Sequence, residues 1–389
     1  MPNRDFFDCY EINMTKKYKI LIIFGTRPEI IKLFPVIRAI KCRDNLEMVL
    51  VCTGQHKQII APLINAFQIK LDYDLNLMKF NQNLYQLSSD IINSFEKIII
   101  ETKPDLVLVQ GDTTTAFLGA LSAFYSQIPI GHIEAGLRTN DRYQPFPEEI
   151  NRRLISVMAD LHFCPTQGNK QNLILENVKP KNIYITGNTG IDTLFWSARN
   201  SQLLSPIKTD LNKKLVLITL HRRESFGKPL KKMLIAIRQL ALDYRNANFI
   251  CPVHPNPNVK LAAYEILDNL PNVVLTDPLD YLDFIKIMKQ AYIILTDSGG
   301  IQEEALSLKI PVLILRQKTE RTEAIISEGA ELIGTDTSKI VKRVGAILKN
   351  PKELKKFKFR SNPFGDGKTA ERIVKVIASF LNHQSKYKL

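Results

Sequence analysis

This sequence of 389 residues has no long apolar run, and its first residues do not show the pattern of a secretion signal. Its longest apolar runs, at residues 19–24 and 292–295, are far shorter than the roughly 20 residues that a membrane-spanning helix needs. Residues 1–17 have neither a basic start followed by an apolar stretch nor a small-residue cleavage site. We therefore expect no membrane span and no secretion, and we predict a cytoplasmic location.

Cysteine is also scarce. The five cysteines form no CxxC pair, are odd in number and lie mostly in apolar segments, a pattern typical of reduced thiols in a core rather than of disulfides or zinc ligands. No GxGxxG follows a predicted strand, and the GKT at 367–369 lacks the first glycine of the P-loop pattern GxxxxGK[ST], because Asn362 stands at that position, so neither a bound dinucleotide nor a P-loop is indicated. We predict that the protein uses no cofactor and no metal.

Positive charge, by contrast, is in excess, with 53 Lys and Arg against 39 Asp and Glu and a net charge of +14. Such a charge favours anionic partners, among them nucleotide sugars, nucleic acids and acidic surfaces. Much of the excess is spread out or lies in the lysine-rich segment 352–360, which favours a solvated basic face. A nucleic-acid-binding protein is the alternative, but no basic motif interleaved with aromatic residues supports it.

Short β-branched runs alternate with longer amphipathic segments, which is the pattern of parallel strands joined by helices. Ten strands are predicted, at residues 19–24, 47–52, 106–109, 128–133, 182–186, 215–219, 248–253, 273–276, 292–296 and 311–315. The polar stretch 197–214 separates two sets of them. The predicted fold is therefore α/β, with two Rossmann-like parallel-sheet domains at 18–190 and 191–367 and an N-terminal extension at 1–17 that is expected to be poorly ordered.

Polar residues follow many of these strands, at the sheet edge where α/β proteins bind ligands. Ser298, Gly299 and Gly300 lie between a strand and a helix, where bare N–H groups and the helix dipole can hold a diphosphate. A plain helix cap is the alternative. Arg27 stands beside Pro28 at another strand-to-helix turn and suits a second phosphate contact, with a surface arginine as the alternative.

Three carboxylates, Asp112, Glu134 and Glu148, lie at or beyond strand ends of the first predicted domain. Carboxylates that converge on one site raise one another's pKa and can divide into acid and base, which is what proton transfer requires. A helix cap or a surface charge is the alternative for each one alone. His221 also follows a strand, and two arginines behind it favour an anion site over a buried structural histidine.

Together these segments closely resemble the non-hydrolysing UDP-N-acetylglucosamine (UDP-GlcNAc) 2-epimerase family. The resemblance extends in order over residues 18 to 380. Its motifs are FGTRPEIIK at 24–32, GDTTT at 111–115, HIEAGLRT at 132–139, PFPEE at 145–149, HRRES at 221–225, TDSGGIQEE at 296–304, TER at 319–321 and NPFGDG at 362–367. As a set these motifs are highly specific, whereas each one alone would be weak.

The resemblance implies a glycosyltransferase-B-like architecture with a deep interdomain cleft, a C-terminal helix at about 368–389 that packs back on the first domain, and a homodimer. It implies that Asp112, Glu134 and Glu148 are acid/base carboxylates and that His221 lies near the leaving diphosphate. UDP and sugar would be bound by residues of both domains, namely Arg27, Lys32, Ser298, Gly299, Gly300, Glu304 and Arg321.

Some members of the family also bind a second UDP-GlcNAc as an activator. Gln55, Gln58 and His254 match positions of that site, whereas Asn81 replaces one of its arginines. Elsewhere, Ser225 stands where many members have asparagine, and Thr322 where many have proline. Met14 falls where most members begin.

The expected reaction is interconversion of UDP-GlcNAc and UDP-N-acetylmannosamine (UDP-ManNAc), which feeds cell-surface polysaccharide synthesis. Because the C2 proton is barely acidic, UDP must leave first, giving a 2-acetamidoglucal to which UDP is added back. The alternatives are a hydrolysing epimerase that releases N-acetylmannosamine, an epimerase for a related sugar nucleotide, and a glycosyltransferase.

Overall fold

The computed structural model describes residues 16–54, 57–78, 82–200, 207, 210, 212–222, 225–319, 322–359 and 362–387. The chain divides into two compact units. Unit 1 runs to Thr193 and resumes at Gly365, and unit 2 is Leu194–Phe364. Within the described residues, no helix is long and apolar enough to cross a membrane.

Unit 1 is built on a seven-stranded sheet in the order β3-β2-β1-β4-β5-β6-β7, and all its neighbouring strands are parallel. The strands are β1 (Tyr18–Phe24), β2 (Leu46–Cys52), β3 (Tyr73–Asp74), β4 (Leu106–Gln110), β5 (Ile130–Ile133), β6 (Leu161–Cys164) and β7 (Ile183–Ile185). The order reverses direction between β1 and β4. A reversal of this kind opens a crevice at the carboxyl ends of the two strands, where α/β proteins place ligands.

The helices of unit 1 are α1 (Arg27–Lys41), α2 (Lys57–Ala66), α3 (Leu84–Thr102), α4 (Thr114–Tyr125), α5 (Glu148–Met158), α6 (Gln167–Leu175), α7 (Thr189–Asn200) and the C-terminal α14 (Thr369–Tyr387). Helix α7 contains the boundary with unit 2. Helix α14 packs on α1 and is joined to α7 by the hydrogen bond from the Ala370 N–H to Asp192 Oδ1, 2.9 Å. The C-terminal segment is thereby part of unit 1.

Unit 2 repeats the same plan with six parallel strands in the order β10-β9-β8-β11-β12-β13. The strands are β8 (Lys214–Thr219), β9 (Ala247–Pro252), β10 (Val273–Thr276), β11 (Ile293–Thr296), β12 (Val312–Ile314) and β13 (Ala330–Leu332). The helices are α8 (Lys228–Asp243), α9 (Pro257–Leu267), α10 (Tyr281–Gln290), α11 (Gly299–Ser307), α12 (Thr322–Ile326) and α13 (Thr337–Lys349). The order reverses between β8 and β11, so this unit has its own crevice at their carboxyl ends.

Each unit has its own apolar core, as the alternating pattern predicts. In unit 1 the side chains of Leu21, Val107 and Phe95 are fully buried between the sheet and its helices, and in unit 2 Val216 and Phe249 are buried in the same way. The prediction of two parallel-sheet α/β domains is confirmed. All ten predicted strands are present, with ends that differ by at most two residues.

Three further strands, β3, β6 and β13, escaped the prediction. They have only two to four residues each. β6 carries the polar His162 and β13 the charged Glu331 at an inner position, so neither forms an uninterrupted apolar run. These strands form because a neighbouring strand offers its N–H and C=O groups, which local sequence does not report.

Candidate active site

The loops after β1 and β4 are tied together by Glu29, whose carboxylate is almost completely buried. Its Oε2 accepts hydrogen bonds from the backbone N–H groups of Gly25 (2.9 Å) and Thr26 (2.7 Å), and its Oε1 accepts one from the Thr113 hydroxyl (2.6 Å). Burial raises the pKa of Glu29, and these hydrogen bonds oppose the rise. Arg27, half-buried in the first turn of α1, is thereby positioned relative to the loop that carries Asp112.

Asp112 follows β4 and is held from α5. Arg152 donates to Asp112 Oδ2 from Nη2 (2.5 Å) and Nε (3.1 Å), and Asn151 Nδ2 donates to the Asp112 backbone oxygen (2.9 Å). Burial raises the pKa of the Asp112 carboxyl, the Arg152 charge lowers it, and the Glu134 charge raises it further. A carboxyl group under such opposed influences is a candidate proton carrier.

Glu134, after β5, lies in the left-handed region with a φ of 65°, which is uncommon for a residue other than glycine. Lys32 Nζ donates to both of its carboxylate oxygens at 2.5 Å, and Gln110 Nε2 donates to Oε2 at 2.5 Å. Lys32 also lowers the pKa of Asp112, so these groups share one electrostatic environment. The structure therefore brings together three predicted site residues, Lys32, Asp112 and Glu134.

Glu148 begins α5, as the two prolines before it predict. It is half-buried, and its Oε2 is buried with no hydrogen-bond partner in the described part of the chain. Asn151 and Arg152, which hold Asp112, follow it by one helical turn. An unsatisfied buried carboxylate oxygen is costly for folding, and such groups occur where function requires them.

The loop of Asp112 rests on a buried histidine. His132, on β5, is fully buried, and its Nε2 lies 2.7 Å from the backbone oxygen of Gly111. Burial lowers the pKa of His132 to about 3, so the ring is neutral, and Nε2 carries the proton because a carbonyl oxygen can only accept. This hydrogen bond holds the residue next to Asp112.

In unit 2, His221 follows β8 and lies beside Asp297, which follows the neighbouring strand β11. Asp297 is fully buried and accepts hydrogen bonds from the backbone N–H groups of His221 (3.1 Å) and Arg222 (3.0 Å). Its Oδ1 is 3.7 Å from His221 Nδ1. Burial raises the pKa of Asp297, while the Arg222 N–H and the His221 charge lower it. Asp297 therefore shapes the loop that presents His221.

His254, after β9, stacks on His221 with 5.8 Å between ring centroids. Its Nδ1 accepts a hydrogen bond from the Asn256 N–H at 3.2 Å. The His254 side chain is exposed. A residue predicted for the activator site thus touches one predicted for the diphosphate.

Helix α11 begins after Ser298, with Gly299 and Gly300 in its first turn. In the part of the chain that the structure describes, the Ser298 hydroxyl makes no capping hydrogen bond. Among the described residues, a Cβ added to Gly300 would meet no atom within 4 Å, so packing against them does not demand a glycine there. One turn later, Glu304 Oε1 accepts a hydrogen bond from the hydroxyl of the buried Tyr281 (3.3 Å). These features suit a bare helix N-terminus that a ligand approaches closely.

Several predicted residues lie outside the described part of the chain. These are Gln55, Asn81, Arg321 and residues 1–15, and Gln58 is placed in α2 without a described side chain. Conversely, sequence reasoning assigned no role to Glu29, Gln110, Arg152, Tyr281 or Asp297. The only signal was position, since Gln110 and Asp297 flank strand ends and Arg152 lies one turn after Glu148. Among the described residues, no group of three or more His, Cys, Asp or Glu is placed to hold a metal ion.

Comparisons with known proteins agree with these motifs. A family model for UDP-N-acetylglucosamine 2-epimerase matches residues 38–378. A UDP-N-acetylglucosamine 2-epimerase of Salmonella typhimurium is 43% identical over 371 residues, which cover 93% of this chain and 99% of that protein. The crystal structure of UDP-GlcNAc 2-epimerase from Neisseria meningitidis bound to UDP-GlcNAc has a TM-score of 0.85 and 42% identity, covering 93% of this chain and 100% of that one.

A more distant likeness concerns the fold alone. The glycotransferase of kitacinnamycin has a TM-score of 0.63 at 12% identity and covers 95% of this chain. The glycosyltransferase-like architecture is therefore shared beyond the epimerases. Since the family model spans most of the chain and the relatives match it almost end to end, this protein belongs to the UDP-N-acetylglucosamine 2-epimerase family.

Proposed function

We propose that this protein is a non-hydrolysing UDP-GlcNAc 2-epimerase, which interconverts UDP-GlcNAc and UDP-ManNAc by eliminating UDP and adding it back. Family membership supports the substrate. The observation that carries the mechanism is that three carboxylates of unit 1, Asp112, Glu134 and Glu148, have three different environments. Inversion at C2 needs different proton carriers on the two faces of the sugar, and groups in different environments can divide those tasks.

The elimination breaks the C1–O bond before it removes the C2 proton. The bond between C1 and the diphosphate oxygen breaks, its electron pair leaves with UDP, and C1 gains oxocarbenium character. A carboxylate then takes the C2 proton, and the C–H electron pair forms the C1=C2 bond of 2-acetamidoglucal. In the return step the diphosphate oxygen attacks C1 while a second carboxyl group delivers a proton to the opposite face of C2. This route needs no nicotinamide.

The contacts in unit 1 support a separate role for each of the three carboxylates. Asp112 is paired with Arg152 through one oxygen, which suits a carboxylate that accepts a proton on the other. Glu148 has a buried oxygen without a hydrogen-bond partner among the described residues, and we assign to it the delivery of a proton to the opposite face. Both oxygens of Glu134 are occupied by Lys32, and one of them also by Gln110, so we assign Glu134 to electrostatic stabilisation of the positive charge near C1.

We assign the binding of UDP to unit 2 together with arginines that reach phosphate oxygens. The N–H groups at Ser298, Gly299 and Gly300 and the dipole of α11 would hold the diphosphate, with His221 beside the leaving oxygen. Glu304, held by Tyr281, would accept from the ribose hydroxyls. Arg27 and Arg321 complete the proposed set.

Regulation and assembly follow the family expectation. We propose that a second UDP-GlcNAc acts as an activator through Gln55, Gln58 and His254, and the stacking of His254 on His221 offers it a route to the diphosphate. We also propose a homodimer, which light scattering would report as twice the chain mass of 44.4 kDa. The product would feed cell-surface polysaccharide synthesis.

The decisive experiment is turnover of UDP-GlcNAc by the pure protein in D2O, followed by NMR. We expect UDP-ManNAc, deuterium at C2 of the product, and traces of UDP and 2-acetamidoglucal. Asp112→Asn and Glu148→Gln should each lower turnover by about 10² or more, with smaller effects on UDP binding. Release of free N-acetylmannosamine would indicate the hydrolysing alternative, and retention of the C2 proton would refute the elimination route.

A further inference from the structure

Arg152 lies on α5 between two carboxylates and is 8% exposed. One side of its guanidinium donates twice to Asp112 Oδ2, and the other side donates from Nη1 to Glu149 Oε2 at 3.0 Å. Glu149 is itself fully buried. An arginine enclosed in this way has a fixed orientation, because its planar fork can satisfy both partners in only one arrangement.

Resting on the proposed function, we propose that Arg152 is a positioning residue for the epimerisation: it holds Asp112 as a carboxylate and orients it so that Oδ1 accepts the C2 proton. Nothing in the expected set of site residues assigns this role to Arg152.

The orientation of the Asp112 carboxylate follows from which of its two oxygens accepts the hydrogen bonds from Arg152. Both hydrogen bonds from Arg152 go to Oδ2, whereas Oδ1 has no hydrogen-bond partner among the described residues. Asn151 holds the backbone of the same residue, so the carboxylate can neither slide nor turn without breaking these contacts. The Asp112 side chain remains 25% exposed, and Oδ1 is the oxygen left for a substrate.

Glu149 holds Arg152 in place and is itself held by several hydrogen bonds. Its Oε2 accepts from the Thr139 N–H at 3.0 Å, and its Oε1 accepts from the Asn140 N–H (3.3 Å) and from Arg153 Nε (3.2 Å). Burial tends to raise the pKa of Glu149, but the Thr139 N–H and Arg152 outweigh it and the pKa is lowered. Glu149 therefore stays charged and keeps Arg152 in place.

Charge also favours this role. Burial and the Glu134 carboxylate raise the pKa of Asp112, while Arg152 and, from α1, Lys32 lower it. Glu149 contacts Arg152 through Oε2 at 3.0 Å. If Arg152 lost its charge, Lys32 alone would oppose burial and Glu134, and Asp112 would remain protonated to a higher pH. A cation at hydrogen-bonding distance lowers a carboxyl pKa by roughly 1 to 3.

The experiment compares Arg152→Gln, Arg152→Lys and the matched control Arg153→Gln, which removes the next arginine on α5, one that contacts Glu149 but not Asp112. The rate kcat/KM for epimerisation is measured from pH 5 to 9, with UDP affinity by calorimetry and folding by circular dichroism. For Arg152→Gln we expect the acid limb to move up by about 1 pH unit or more, so that kcat/KM on that limb falls about tenfold or more. At pH values above the acid limb, the loss of kcat/KM should be much smaller.

Arg152→Lys keeps the charge but not the fork, so it should restore most of the acid limb and lower kcat at every pH. Arg153→Gln should keep the wild-type profile, and UDP affinity should change by less than about threefold in all variants. A loss that is equal at every pH in Arg152→Gln, or an unchanged profile, would overturn the proposal. Should Arg152→Gln fail to fold, the test passes to Arg152→Lys, and a wild-type kcat in that variant would equally overturn it.

The experiment distinguishes failure of the proposed function from failure of the proposed role of Arg152. If the wild-type protein does not epimerise UDP-GlcNAc, both proposals fall together. If it does, and the Arg152 variants keep its pH profile, only the positioning role of Arg152 is refuted.

Discussion

Replacing Asp192 by asparagine should stabilise the protein increasingly as the pH rises above about 4 and do little at lower pH. Asp192 lies on α7, is 8% exposed, and accepts the hydrogen bond from the Ala370 N–H at the start of α14. Burial raises its pKa from 3.8 to about 6, although the Ala370 N–H opposes the rise, and the charge of Asp366 adds to it. Asparagine keeps an oxygen for Ala370 and carries no charge.

The magnitude follows from linkage between protonation and folding. Because the pKa of Asp192 is higher in the folded state, the folded state prefers the proton, and the stability this provides is complete below pH 3.8 and lost as the pH rises through 6. A pKa difference of about 2 corresponds to about 3 kcal/mol. The variant should therefore exceed the wild type in free energy of unfolding by about 1.5 kcal/mol at pH 5 and about 3 kcal/mol at pH 7.

Urea unfolding from pH 5 to 8 measures this difference through the fluorescence of Trp196. It is the single tryptophan of the chain and lies one turn after Asp192 on α7. The control is Asp277→Asn, which removes a carboxylate whose side chain is 84% exposed, so its effect on the free energy of unfolding should be small. A gain for Asp192→Asn that did not grow with pH, or a loss at pH 7, would refute the reasoning.

Two further substitutions probe the loops of the site. Asp297→Asn should weaken UDP binding by about tenfold or more in calorimetry, because an amide carries no negative charge and replaces one of the two oxygens that accept from the His221 and Arg222 N–H groups by an NH2 donor, and a wild-type affinity would contradict this. Glu29→Ala should lower the free energy of unfolding by about 3 kcal/mol or more, since it leaves the buried N–H groups of Gly25 and Thr26 unpaired. Glu29→Gln, which keeps the shape and an acceptor, should lose less than half as much, and equal losses would argue against a hydrogen-bonding role.

The strands and the positions of the carboxylates in the candidate site could be predicted because their signals are local. A buried parallel strand is an apolar run, and the polar residue that follows it stands at the edge where ligands bind, as Asp112 and Glu134 do. The start of α5 at Glu148 was equally readable, since two prolines precede it. Specific motifs in a fixed order were sufficient to predict the family.

The supporting residues could not be predicted, because each acts across a long stretch of chain. Arg152 meets Asp112 over 40 residues, Glu29 meets Thr113 over 84, and Asp297 meets the backbone of His221 over 76. No periodicity or propensity encodes such pairs. They arise when parallel strands bring their carboxyl ends to one edge, where buried polar groups must find partners among whatever side chains arrive there. Short motifs therefore predict which carboxylates lie in the candidate site. The hydrogen bonds and the charged neighbours of each carboxylate depend on packing between distant segments.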